Sequence, residues 1–144
     1  MKVIKKSQEV PYTPEQMYKL VNAIEAYPEF LPWCSTTTVH SRNEAEIQAT
    51  IQVGKGGIQY SFTTLNRLQA HQRIEVRLIQ GPFRHLQGYW QFEPIGAKAC
   101  QVSLNLEFEF SSKLHDIASG PFLQKIAESF IEAFSLRAKN VYGE

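Results

Sequence analysis

Phe122-Leu123-Gln124-Lys125-Ile126-Ala127-Glu128-Ser129-Phe130-Ile131-Glu132-Ala133-Phe134-Ser135-Leu136-Arg137-Ala138-Lys139-Asn140-Val141 is the stretch whose reading decides the fold. Plotted on a helical wheel at about 100° per residue, its apolar side chains gather on one side. Phe122, Leu123, Ile126, Ala127, Phe130, Ile131, Ala133, Phe134, Ala138 and Val141 fill half the circumference. Gln124, Lys125, Glu128, Glu132, Ser135 and Lys139 take much of the rest. A face this wide needs a large apolar partner. Arg137 breaks the pattern by falling inside the apolar arc. Extended back to Lys113, the helix runs about 40 Å at ~1.5 Å per residue. Ser112 can cap its start and Asp116 suits the first turn. Gly120-Pro121 predicts a kink or a fresh start, because proline lacks the N–H and crowds the carbonyl of Ile117.

The partner is upstream. From Ser35 to Phe110 the apolar period changes to two, with strands expected near Thr36–Arg42, Ala45–Val53, Ile58–Leu68, Arg73–Gln80, Arg84–Glu93 and Ala99–Phe110. Asn43-Glu44, Gly54-Lys55-Gly56-Gly57, Gln69-Ala70-His71-Gln72, Gly81-Pro82 and Pro94-Ile95-Gly96 supply the turns. Ile47, Ala49, Ile51 and Val53 share a face, as do Tyr60, Phe62 and Thr64. Ile74, Val76 and Leu78 follow, then Leu86, Trp90 and Phe92, then Val102, Leu104, Leu106, Phe108 and Phe110. Short links between consecutive strands imply an antiparallel meander with one apolar and one wet face.

Before the meander, Lys2–Val10 reads as a first strand. Thr13 as N-cap, Pro14 at N1 and Gln16 at N3 make a capping box. Met17, Leu20, Val21 and Ile24 then give that helix a buried side. Tyr27-Pro28-Glu29-Phe30-Leu31-Pro32-Trp33-Cys34 combines prolines with large apolar groups, and reads as a helical turn or an ordered loop. The fold class is α+β, a curved antiparallel β-sheet wrapped around a long C-terminal α-helix.

A chain of 144 residues, 43% hydrophobic and 20% charged, suits one domain spanning 1–144 with a single core. A net charge of +1 excludes strong bulk attraction to nucleic acid or anionic membrane but not a local patch. Cys34 and Cys100 form no motif, and a reducing cytoplasm is the expected compartment. Met1-Lys2-Val3-Ile4-Lys5-Lys6 lacks the apolar run of a signal peptide, and no segment reaches membrane-spanning length.

Three constellations stand out. Tyr60, Phe62, Leu78, Leu86, Trp90 and Phe92 of the sheet should face Phe122, Ile126 and Phe130 of the helix. Gly88 lies between Leu86 and Trp90 on the same face; it either opens a void for a ligand or bends the sheet with every aromatic packed. Phe30 and Trp33 either form the lip of a portal, touching a lipid tail or membrane surface at most peripherally, or close the end of the core. Arg137 either orients a polar head group at the pocket mouth or snorkels near the helix end to a carbonyl or carboxylate. Outside the pocket, Arg67, Arg73, Arg77 and Arg84 cluster in the middle strands. They could meet RNA phosphates or pair with Glu75 and other carboxylates.

Enzyme signatures are sparse. His40, His71, His85 and His115 lie far apart without metal-ligand spacing, and Gly54-Lys55-Gly56-Gly57 is no phosphate loop. Glu107 and Glu109 fall on the wet face. The inward face offers little besides Tyr60 and Arg137 for acid–base chemistry.

Several motifs together carry a resemblance across nearly the whole chain. They are Val10-Pro11-Tyr12, Tyr27-Pro28-Glu29-Phe30-Leu31-Pro32, Gly81-Pro82-Phe83 with Leu86, Gly88, Trp90 and Phe92, and Ala133-Phe134 with Arg137-Ala138 and Tyr142. With the order of elements, they resemble the helix-grip fold of the START-like superfamily. The resemblance is to the bacterial branch once labelled oligoketide cyclase/dehydrase, which holds coenzyme-Q-binding proteins and the ribosome association toxins. It implies a protein that holds an apolar, isoprenoid-like ligand such as a polyprenyl quinone between sheet and helix in support of respiration. The old label also suggests cyclase or dehydratase chemistry, which the inward-facing residues do not support; a non-enzymatic role with neither cofactor nor metal is expected. The alternative that the resemblance implies is a translation regulator that binds the large ribosomal subunit, not DNA, and blocks its joining to the small one.

Overall fold

The computed structural model describes residues 2–55, 58–111 and 113–143. In chain order it has β1 (Lys2–Val10), α1 (Pro14–Asn22), a 3-10 helix (Ile24–Glu29), β2 (Cys34–Arg42), β3 (Glu46–Lys55), β4 (Ile58–Gln69), β5 (Arg73–Gln80), β6 (Phe83–Ile95), β7 (Ala99–Phe110) and α2 (Lys113–Tyr142). The seven strands form one antiparallel sheet ordered β1-β7-β6-β5-β4-β3-β2. The chain starts at one edge, crosses through α1 and the 3-10 helix to the other, and returns by hairpins. β1 pairs with β7, setting Ile4 opposite Leu106 and Val10 opposite Cys100.

The period of two puts alternate side chains onto the concave face, where α2 packs. Ile47, Ala49, Val53, Ile74, Val102, Leu104, Phe108 and Phe110 are buried there, against Leu123, Ile126, Ala127, Ile131, Phe134 and Ala138 of the helix. Register breaks between Cys34 and Thr36, Val39 and Ser41, Thr63 and Thr64, and Phe83 and His85 bend the strands. Such bulges increase twist and let a sheet coil around a single rod.

The N-terminal elements cover one end of the barrel. Thr13 accepts from the Gln16 N–H at 3.1 Å, and Gln16 Oε1 accepts from the Thr13 N–H at 2.9 Å, completing the capping box. α1 buries Met17, Tyr18 and Val21, while Ile24 is buried one element later, in the 3-10 helix. Two tyrosines tie α2 to this layer: Tyr12 donates to the Gly143 carbonyl at 2.7 Å, and Tyr142 to the Gln16 carbonyl at 2.9 Å. At the far edge, both arms of the Arg42 guanidinium hold Glu25, at 2.7 and 2.9 Å.

Val141 departs from expectation, and two readings that the sequence left open are narrowed. α2 does not restart at Gly120-Pro121 but runs on with Pro121 inside it. Pro121 removes one backbone donor, a local loss, whereas the turns just beyond it are anchored by Leu123, Ile126 and Ala127. Val141, placed in the apolar arc, is 50% exposed, whereas its neighbour Tyr142 is the residue of the last turn that packs, on Tyr12 and the Gln16 carbonyl. The stretch after α1 is a 3-10 helix through Pro28 that leads to Leu31, 0% exposed, so the loop is anchored in the core. Ser112, the side chain of Asp116 and the Gly56-Gly57 turn tip lie outside the described residues.

Two aromatic rings one helical turn apart both border the inner cavity but differ in burial. Phe134 is fully buried against Tyr27, Phe30 and Trp90, with ring centroids 5.2–5.3 Å away. Phe130 is only half-buried and borders open space. Phe134→Ala should cost about 3–5 kcal/mol in urea unfolding, and Phe130→Ala distinctly less. Equal losses would show that the two rings share one environment.

Candidate functional site

Between the concave face and α2 lies an apolar cavity of ≈ 110 Å³. Of the expected pocket residues, Phe62, Leu86, Trp90, Ile126 and Phe130 line it. Tyr60 and Leu78 pack instead in the neighbouring apolar cluster around Phe83. Phe92 lies behind Trp90, their rings nearly parallel at 6° with centroids 6.5 Å apart. Phe122, Phe30, Trp33 and Arg137 line a separate open groove on the outside of α2. Ile126 borders both spaces, and Trp33 packs edge-on against Phe130 at 5.1 Å in the wall between them.

Gly88 does not open the cavity. A Cβ built there would stand 2.1 Å from the Asn105 carbonyl oxygen and 2.9 Å from the Leu106 Cα. Here β6 and β7 approach too closely for any side chain, so the residue serves the curl of the sheet.

The cavity wall also carries residues outside the expected pocket set. Thr64 is buried and donates to Asn66 Oδ1 at 3.0 Å, giving the wall a polar corner. Both continue the inward alternation of Tyr60 and Phe62, which was the available signal. Tyr27 also lines the cavity; its buried hydroxyl donates to the Val21 carbonyl, and burial pushes its pKa upward. Burial likewise raises the Cys34 and Cys100 thiols to about 11, so neither is poised as a nucleophile. No group of three metal-ligating side chains converges among the described residues.

Arg137 leaves the apolar arc through the outer groove. Its guanidinium lies 4.9 Å over the Phe30 ring and 3.4 Å from Glu29, with Nε buried and without a hydrogen-bond partner. Phe30 and Trp33 are half-buried, one side packed on Phe134 and Phe130, the other facing this groove.

On the convex face the four arginines differ in kind. Arg67 stands 3.8 Å from Glu46 and is exposed. Arg73 is not a free outward cation: it stands 3.5 Å from Glu75 and stacks over Tyr89 at 3.9 Å. Arg77 and Arg84 are exposed, and among the described residues neither has a carboxylate partner. No described helix is long and apolar enough to cross a membrane.

Residues 10–135 match the family described as polyketide cyclase / dehydrase and lipid transport. The chain belongs to that family. It has the START-like helix-grip fold. Among this family's named members, the ribosome association toxin RatA of Vibrio cholerae is 44% identical over 144 residues, covering 100% of both chains. The coenzyme Q-binding protein COQ10 homolog B of Xenopus laevis is 27% identical, over 95% of this chain and 58% of that one. An aromatase/cyclase from Streptomyces sp. R1128 has the same fold, with a TM-score of 0.85 at 12% identity, covering 96% of this chain and 93% of that chain. That likeness is one of fold alone.

The Gly88 geometry yields a test. Gly88→Leu should lower the melting temperature by several degrees and widen the β6–β7 hydrogen-exchange pattern, because its Cβ meets backbone. A variant as stable as the parent would mean that the sheet has room there.

Proposed function

We propose that this protein is a ribosome-association factor that binds the large subunit and opposes its joining to the small one. The observation carrying this reading is the end-to-end likeness to RatA, which leaves no segment of either chain unaccounted for. Arg77 and Arg84, exposed and without a carboxylate partner among the described residues, supply cations for RNA phosphates where the net charge of +1 supplies no bulk attraction. In this reading the protein acts by binding: among the described residues lining the cavity Tyr27 is the ionisable group, and burial holds it in its neutral form. Binding to purified large subunits should be saturable and should weaken steeply as salt rises, as counterion release requires. Added protein should lower the joined-ribosome fraction in a sucrose gradient. A protein that stays at the top of the gradient at low salt would overturn this reading.

A second reading rests on the apolar cavity. Its ≈ 110 Å³ is of the order of the roughly 150 Å³ engineered cavity that admits benzene, space for one small ring and no more. A polyprenyl quinone therefore needs the Trp33–Phe130 wall to open, and the carrier role is the weaker of the two. We propose a small apolar ligand, with one group hydrogen-bonded near Thr64 and Asn66. Phenol at millimolar concentration should raise the melting temperature. Ala127→Leu, which fills the space from α2, should remove that shift. An equal shift in both proteins would exclude the cavity as the site.

A further inference from the structure

Gly88 marks the floor of a second, unrelated feature on the convex face. The antiparallel register sets Arg77 opposite Gln87, and Gln87 opposite Glu107. Glu75 is opposite Tyr89, and Tyr89 opposite Asn105. Alternation turns these side chains outward around an open groove of ≈ 300 Å³, wide enough for a nucleobase. Its wall is a shelf: the Arg73 guanidinium lies 3.9 Å over the Tyr89 ring, held from the side by Glu75 at 3.5 Å. The stack is only partly buried, and the Arg73 side chain keeps 32% of its surface exposed. A planar cation fixed on an aromatic ring is a surface on which a base stacks.

Charge sets how a nucleotide would lie. Arg77 is exposed, borders the groove and has no carboxylate partner among the described residues. It is the natural seat for a phosphate. Glu75 and Glu107 border the same groove and repel a backbone laid flat across it. The arrangement therefore favours a base turned inward, with its phosphate held at one rim. Gln87 and Asn105 offer amides to the base edge, and the Glu107 carboxylate accepts from an exocyclic amine. A base inside a duplex cannot reach such a groove. An unpaired one can.

We propose that this convex-face groove captures a single unpaired RNA nucleotide, its base stacked on the Arg73–Tyr89 shelf and its phosphate on Arg77. The proposal rests on the ribosome reading and names the surface through which it operates. Two measurements test it on the full chain: co-sedimentation with large subunits, and fluorescence anisotropy with a short labelled single-stranded RNA and its duplex form. The wild-type protein should prefer the single strand. Tyr89→Leu should weaken both measurements by about tenfold or more, the order expected for one lost base stack. Arg77→Gln should lower the slope of log affinity against log salt by about one, with an unchanged melting temperature. Should Tyr89→Leu fold poorly, Arg77→Gln and Gln87→Ala carry the test. If subunit binding persists undiminished in these variants, the groove is not the contact, and the ribosome reading stands without it. If subunit binding falls but single-stranded RNA affinity does not, the surface meets a ribosomal protein and the RNA proposal is overturned. If the wild type ignores subunits altogether, both readings fall.

Discussion

The burial of one face of α2 in the concavity of the sheet is the interaction on which the rest depends. Neither surface is stable alone: the helix exposes half its circumference of Leu, Ile, Phe and Ala, and the sheet exposes a matching apolar face. Phe134 shows the depth of the contact, with one ring touching Tyr27 and Phe30 from the segment after α1 and Trp90 from β6. A flat sheet could not do this. The bulges in β2, β4 and β6, and the pinch at Gly88, are what curve seven strands around one rod.

That curvature has a consequence on each face. Inside, the aromatic side chains nearly fill the space they enclose, leaving a cavity scarcely larger than one small ring. The wall between it and the outer groove is side chain, not backbone, since Trp33 meets Phe130 there. Outside, curvature spreads the polar side chains of the central strands and leaves a shallow groove above Gly88. The same glycine thus tightens the interior and opens the exterior.

The fold itself is neutral about function. An aromatase/cyclase shares the backbone at 12% identity, whereas a ribosome association toxin shares nearly half the side chains over the full length. Backbone likeness reports that a helix and a sheet solve the same burial problem. Identity of that extent concerns side chains as well as backbone. On the convex face Arg77 has no carboxylate partner among the described residues, and Tyr89 is covered by a guanidinium.

Local rules sufficed for every element. Thr13, Pro14 and Gln16 announce α1 because capping is settled within four residues. The period-two runs announce β2 to β7 because one wet face and one dry face force alternation. The apolar arc of α2 was legible for the same reason, up to Val141, where the last turn packs through Tyr142 instead. Individual site residues were less legible, since spacing tells which face a side chain takes but not what stands opposite. Gly88 could read as void or bend until the Asn105 carbonyl was found 2.1 Å from its missing Cβ. Arg73 could read as free until Tyr89 and Glu75 were found beside it, each brought there by strand register. Which strand accepts β1, how much space α2 leaves, and which arginines keep an open charge depend on distances between residues far apart in the chain. Only the closed tertiary structure sets those distances.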